Sequence, residues 1–160
     1  MRCALVIPSW TPEDIFPARA AGAQLNYWQP VGTLYVAAAL MQAGHEVRFF
    51  DGAFLSHGDI LDGLAGFAPR FVGVYATAFG WPQAVRTATD AKRRLPGAFL
   101  CAGGPYPVAV RERCLAEGPA FDAAVNELRA AGLPLEEAKL PELPASELAG
   151  IIITAEALST

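Results

Sequence analysis

Five short runs rich in apolar and β-branched residues punctuate the chain: CALVIP (3–8), EVRFFD (46–51), FVGVYAT (71–77), AFLCAG (98–103) and the weaker FDAAV (121–125). Each is strand-sized and bounded by turn residues, so they read as strands. Between them, apolar residues recur at three- and four-residue intervals in VGTLYVAAALMQAG (31–44), GDILDGLAGF (58–67), PQAVRTATDAKRR (82–94) and PVAVRERCLAEG (107–118). That period belongs to amphipathic helices, and the punctuation agrees: Gly44 follows the first, Pro82 opens the third and Gly118 closes the fourth. Strict alternation of this kind predicts successive βαβ units. The fold class is therefore α/β, a flavodoxin-like (Rossmann-like) doubly wound parallel sheet of five strands in the order 2-1-3-4-5. Past residue 125 the alternation decays. NELRAAG can finish a fifth helix, LPLEEAKLPELPASELAG is rich in Pro and Glu, and IIIT (151–154) is a candidate sixth strand. The domain is placed at residues 1–125, with 126–160 as a C-terminal extension or linker.

Composition narrows the picture. A chain of 160 residues suits one ordinary core, and 53% hydrophobic against 18% charged residues suits a sheet buried on both faces. The net charge of −4 gives no diffuse attraction to phosphate backbones, and the densest basic cluster is Lys92, Arg93 and Arg94, so nucleic acid is not an expected partner. Cys3, Cys101 and Cys114 match neither a disulfide framework nor a metal knuckle and read as reduced core thiols. The start MRCALVIPSW is too short an apolar run for a signal peptide, and no stretch reaches eighteen apolar residues, so the expected setting is cytoplasmic, without a membrane partner.

In a sheet of this order the connections leaving strands one and three diverge to opposite faces and leave a crevice, where ligands bind. Three connections share that rim. The first runs from Ser9 to Pro30 and carries Trp10, Tyr27 and Trp28; a connection of that length is usually functional or disordered. The second is Thr77–Pro82, the third Gly103–Pro107. Gly103-Gly104 permits either close ligand approach or simply a tight turn. Thr77 can hydrogen-bond at the crevice or be an ordinary strand residue. Phe79 and Trp81 can floor a flat ligand; of the two, Phe79 is the better candidate for capping the core. Asp51 can accept from a ligand or cap its own turn, with nothing in the sequence to choose. His45 is expected to be exposed, and His57 to cap the second helix. No Ser/His/Asp arrangement, catalytic residue or protein metal site is legible. A flavin site would want a small-residue phosphate loop where PSWTPED stands, and a dinucleotide site would want Gly-x-Gly-x-x-Gly. A receiver domain, with Asp51 as its acceptor, would want an acidic pair after strand one.

Taken together, QPVGTLYVAAALMQAGHEVRFFD, GVYATAFGWP, FLCAGGPYPVA and FDAAV resemble the N-terminal cobalamin-binding domain of cobalamin-dependent radical S-adenosylmethionine enzymes over residues 1–125. The family-like features are Pro30 and Gly32 at the first helix, the AGHEV turn at Ala43–Val47, Asp51 closing strand two, and Gly103, Gly104 and Pro105 after strand four. The resemblance implies that cobalamin is the cofactor, with its corrin across the C-terminal rim. It implies contacts from Ser9 and Trp10, from Pro30 and Gly32, and from Asp51. Further contacts fall to Ala76, Thr77, Phe79 and Trp81, and to Gly103, Gly104, Pro105 and Tyr106. Thr77 and Gly103-Gly104 are also similar to the second and third elements of the methionine synthase cobalamin pattern. Its first element, Asp-x-His-x-x-Gly, is absent from PSWTPEDIF, which implies a histidine-off, base-off cofactor with Trp81 or Phe79 facing the cobalt. Two departures stand out. Val125-Asn126-Glu127-Leu128 replaces the Gly-Glu-x-Glu turn that follows the last strand in the family. No Cys-x3-Cys-x2-Cys motif is present to hold a [4Fe-4S] cluster. The expected chain is thus an excised or stand-alone module, not active alone, that partners a radical S-adenosylmethionine domain, with methyl transfer the expected chemistry.

Overall fold

A computed structural model describes residues 1–15, 29–111 and 113–124 of the chain. Among these the strands are β1 (Arg2–Ile7), β2 (Glu46–Asp51), β3 (Phe71–Tyr75), β4 (Phe99–Gly103) and β5 (Ala123–Ala124). The helices are α1 (Pro12–Ile15), α2 (Val31–Gln42), α3 (His57–Phe67), α4 (Trp81–Arg94), α5 (Pro105–Val110) and α6 (Arg113–Glu117). The strands form one parallel sheet in the order β2-β1-β3-β4-β5, as the periodicity predicts.

Burial on both faces explains the near-continuous apolar strands. Ala4 and Val6 of β1, Val72 and Val74 of β3, and Leu100 and Ala102 of β4 meet Ile60 and Leu64 of α3 and Ala84, Ala88 and Ala91 of α4. The alternate residues Cys3, Leu5, Phe71, Phe99 and Cys101 share the other face with Ala37 and Leu40 of α2. Each fully buried side chain of the size of Leu40 or Ile60 contributes about 1.5–3 kcal/mol on leaving water. The alanine stripe of α4 lets that helix lie close to the strands. Cys114, the third cysteine, is buried on the α3/α4 face.

Local signals account for the element ends. Ser56 and Asp59 form a reciprocal capping box at the start of α3. Pro82 sits in the first turn of α4, and Lys92, Arg93 and Arg94 occupy its last turn, where cations suit the helix dipole. Arg94 pairs with Asp62, and His57 Nε2 lies 2.8 Å from Asp90 Oδ2, so α3 and α4 are joined at two levels. At the sheet's edge, Asp122 accepts from the Leu100 amide at 2.8 Å and from Lys92 Nζ at 2.7 Å, which fixes the two-residue β5.

Three expectations need correction. The helix expected over 107–118 is two short helices, because Arg111 adopts φ 54° and turns the chain between them. The cap of α3 is Ser56, whereas His57 is the first helical residue and pairs with Asp90. His45 is half-buried, its Nδ1 3.3 Å from the N-terminal amine. Tyr27, Trp28 and everything from Val125 onward, including the Val125–Leu128 departure, the candidate strand 151–154 and the extension, lie outside the described residues.

Candidate functional site

The carboxyl ends of all the strands point to one rim, and the sheet order places its switch point between β1 and β3. On the far side of that point the β3 and β4 connections are sewn together. The Ala76 amide donates to the Gly103 carbonyl at 2.8 Å, and the Tyr106 amide donates to the Ala76 carbonyl at 3.2 Å. Gly104 makes this possible: its φ is 101°, and a Cβ there would stand 2.7 Å from the Ala76 carbonyl oxygen. Both features exclude ordinary side chains, so the tight-turn reading of the glycine pair holds for Gly104.

Thr77 lies just beyond β3, where its hydroxyl oxygen accepts from the Gly80 amide at 3.0 Å and closes the turn into α4. The two aromatics exchange the places the sequence suggested. Trp81 is 7% exposed and packs between Tyr106 (ring centroids 4.8 Å) and Phe121 (5.7 Å), so it caps the core, whereas Phe79 is 66% exposed. Helix register explains the exchange: Trp81, Ala84, Ala88 and Ala91 share the inward face of α4, and Phe79 precedes the helix.

Tyr106 is half-buried, and its hydroxyl donates to Glu117 at 2.7 Å. That bond raises the phenol's pKa and, with Arg113, holds the Glu117 carboxylate below its usual range. Pro105, beside it, is exposed. On the near side of the switch point, Ser9 and Trp10 are half-buried where the chain leaves β1. Asp51 is buried; its carboxylate accepts from the Ala53 amide at 2.9 Å, the turn-capping geometry. Pro30 caps α2 and Gly32 lies in its exposed first turn with nothing near its Cβ position.

Among the described residues, Val31 at the start of α2, Phe54 after β2, Phe79 after β3 and Val108 in α5 are exposed large apolar side chains on the connections that follow the first four strands. Phe54 and Val108 were not singled out in the sequence, although Phe54 in the turn DGAF was the available signal. Exposed apolar side chains on these connections suit a large flat ligand with a few polar groups at its margin. No group of His, Cys, Asp and Glu able to hold a metal ion occurs among the described residues.

The sequence matches the family model of the B12 binding domain over residues 20–131. The chain belongs to the B12-binding domain family. It is a cobalamin-binding module, as the resemblance implied. It is also 32% identical over 108 residues to the hopanoid C-3 methylase of Methylococcus capsulatus (strain ATCC 33009 / NCIMB 11132 / Bath), a stretch that is 66% of this chain and 21% of that protein. The B12-binding chain thus matches about a fifth of the length of this curated relative. No helix among the described residues is long and apolar enough to cross a membrane.

Proposed function

We propose that this domain holds cobalamin, histidine-off and base-off, for a radical S-adenosylmethionine catalytic domain that transfers methyl groups. The observation that carries the reading is that both histidines are engaged away from the strand-end rim, whose connections carry exposed apolar side chains. His45 precedes β2, at the opposite end of the sheet, and His57 is bound to Asp90. In this reading the residues of the β1/β3 switch point would hold the cofactor, and exposed Phe79 rather than buried Trp81 would supply the apolar contact. Thr77, whose hydroxyl oxygen already accepts from the Gly80 amide, would have its hydroxyl hydrogen left to donate to a cofactor oxygen. Gly103, Gly104, Ala76, Pro105 and Tyr106 form the backbone shelf on one side; Ser9, Trp10, Asp51, Pro30 and Gly32 border the other. When bound, the cofactor supplies a cobalt centre that accepts and donates a methyl group. The domain's own residues would seat it and shield it from water with their apolar side chains. Residues 1–125 carry this role and 126–160 serve as extension or linker. The methylase name of the relative and its much greater length support a catalytic region beyond a domain of this size.

Hydroxocobalamin mixed with the purified chain and passed through a desalting column should elute with it, and Thr77→Val should retain less. A colourless protein under both aerobic and reducing conditions would end the cobalamin reading. Reduction to the cob(II)alamin state should give an electron paramagnetic resonance signal without nitrogen splitting from an axial ligand. Such splitting would refute the histidine-off, base-off assignment.

A further inference from the structure

Gly52, directly after β2, has no freedom to be anything larger. A Cβ on it would lie 2.3 Å from the Ser9 amide nitrogen and 2.4 Å from both the carbonyl carbon and oxygen of Pro8. These are backbone atoms, so no side-chain rotation relieves the clash. The Gly52 amide also donates to the Ile7 carbonyl at 2.9 Å, and Ile7 and Asp51 are register partners. Pro8 and Gly52 are both buried.

The direction of this contact matters. β1 lies between β2 and β3, so a chain that leaves β1 resting on the end of β2 leans away from β3 and away from the switch point. The geometry points to Gly52 as a positioning residue: its missing side chain lets Pro8–Ser9 lie over β2 and thereby keeps the near wall of the cofactor crevice drawn back. A methyl group at position 52 has no room while Pro8–Ser9 stays in place, so the chain must shift off the end of β2, and a shift toward β3 narrows the crevice. This inference rests on the cobalamin reading of that crevice. Gly52 touches no cofactor in it and acts through Ser9 and Trp10.

The test compares hydroxocobalamin affinity by equilibrium dialysis for the full chain, Gly52→Ala and the control Gly66→Ala, with far-ultraviolet circular dichroism on each. Gly66 lies in α3 with open space at its Cβ position. Gly52→Ala should keep its folded spectrum and bind about tenfold or more weakly, while Gly66→Ala binds as the unaltered chain does. A folded Gly52→Ala with unaltered affinity overturns the inference. If Gly52→Ala loses its fold, hydrogen exchange on the unaltered chain decides: the Gly52 amide, bonded to the Ile7 carbonyl, should stay as protected with hydroxocobalamin bound as without it. Unchanged protection upholds the drawn-back wall. Loss of that protection on binding overturns it. Failure of the unaltered chain to bind marks the end of the cobalamin reading itself, and this inference goes with it.

Discussion

At the scale of single residues, the strongest constraints are steric and local. Gly104 combines a left-handed φ of 101° with backbone contact to Ala76, so Gly104→Ala should cost about 1–3 kcal/mol of stability in chemical denaturation. Gly66→Ala, in an open helical site, should instead gain roughly 0.5–1 kcal/mol. Asp90 carries a pH signature. The hydrogen bond from His57, then Arg93, holds its carboxyl below the usual aspartate range despite the opposing effect of burial. A carboxylate whose pKa is lowered on folding stabilises above its unfolded pKa, about 3.9, and that stability fades as pH falls through the folded value. Urea melts of the unaltered chain and Asp90→Asn should therefore differ at neutral pH and converge below the folded pKa. A gap that persists in acid would exclude the carboxylate as its source. The misplaced aromatic pair has a residue-scale cause as well. Starting the helix at Pro82 left Trp81 in the loop, and one more helical residue puts it on the alanine face.

At the scale of elements, what could be read from sequence was whatever burial writes into the pattern. Strands covered on both faces are apolar nearly throughout, so β1, β3 and β4 lie within one or two residues of their expected spans, while the edge strand β2, with Glu46 and Arg48 exposed, matches its span. The break between α5 and α6 was not legible, because the residue that makes it is an arginine rather than a glycine. The rim followed from topology once the strand order was known, but the contacts within it did not. The zipper of Ala76, Gly103 and Tyr106 and the Gly52 contact with Pro8–Ser9 are backbone events that side-chain patterns do not encode. The edge strand depends on one carboxylate. Removing it in Asp122→Ala leaves the Leu100 amide and Lys92 without that acceptor and should cost about 1–3 kcal/mol. Hydrogen exchange at β4 and β5 should rise before that of β1.

At the scale of the whole molecule, a ligand that binds only the folded state stabilises it by mass action. Cobalamin at about a hundred times its dissociation constant should add about 2.7 kcal/mol, seen as a higher melting temperature. No rise at saturating cofactor would contradict binding at a formed rim. The placement of the sulfurs gives the two faces separate voices. Cys3 and Cys101 lie beneath α2, and Cys114 lies on the side of α3 and α4, all buried. A maleimide therefore cannot label any of them until a layer lifts, and the order in which the adducts form in a mass spectrum times the peeling of one helical layer against the other.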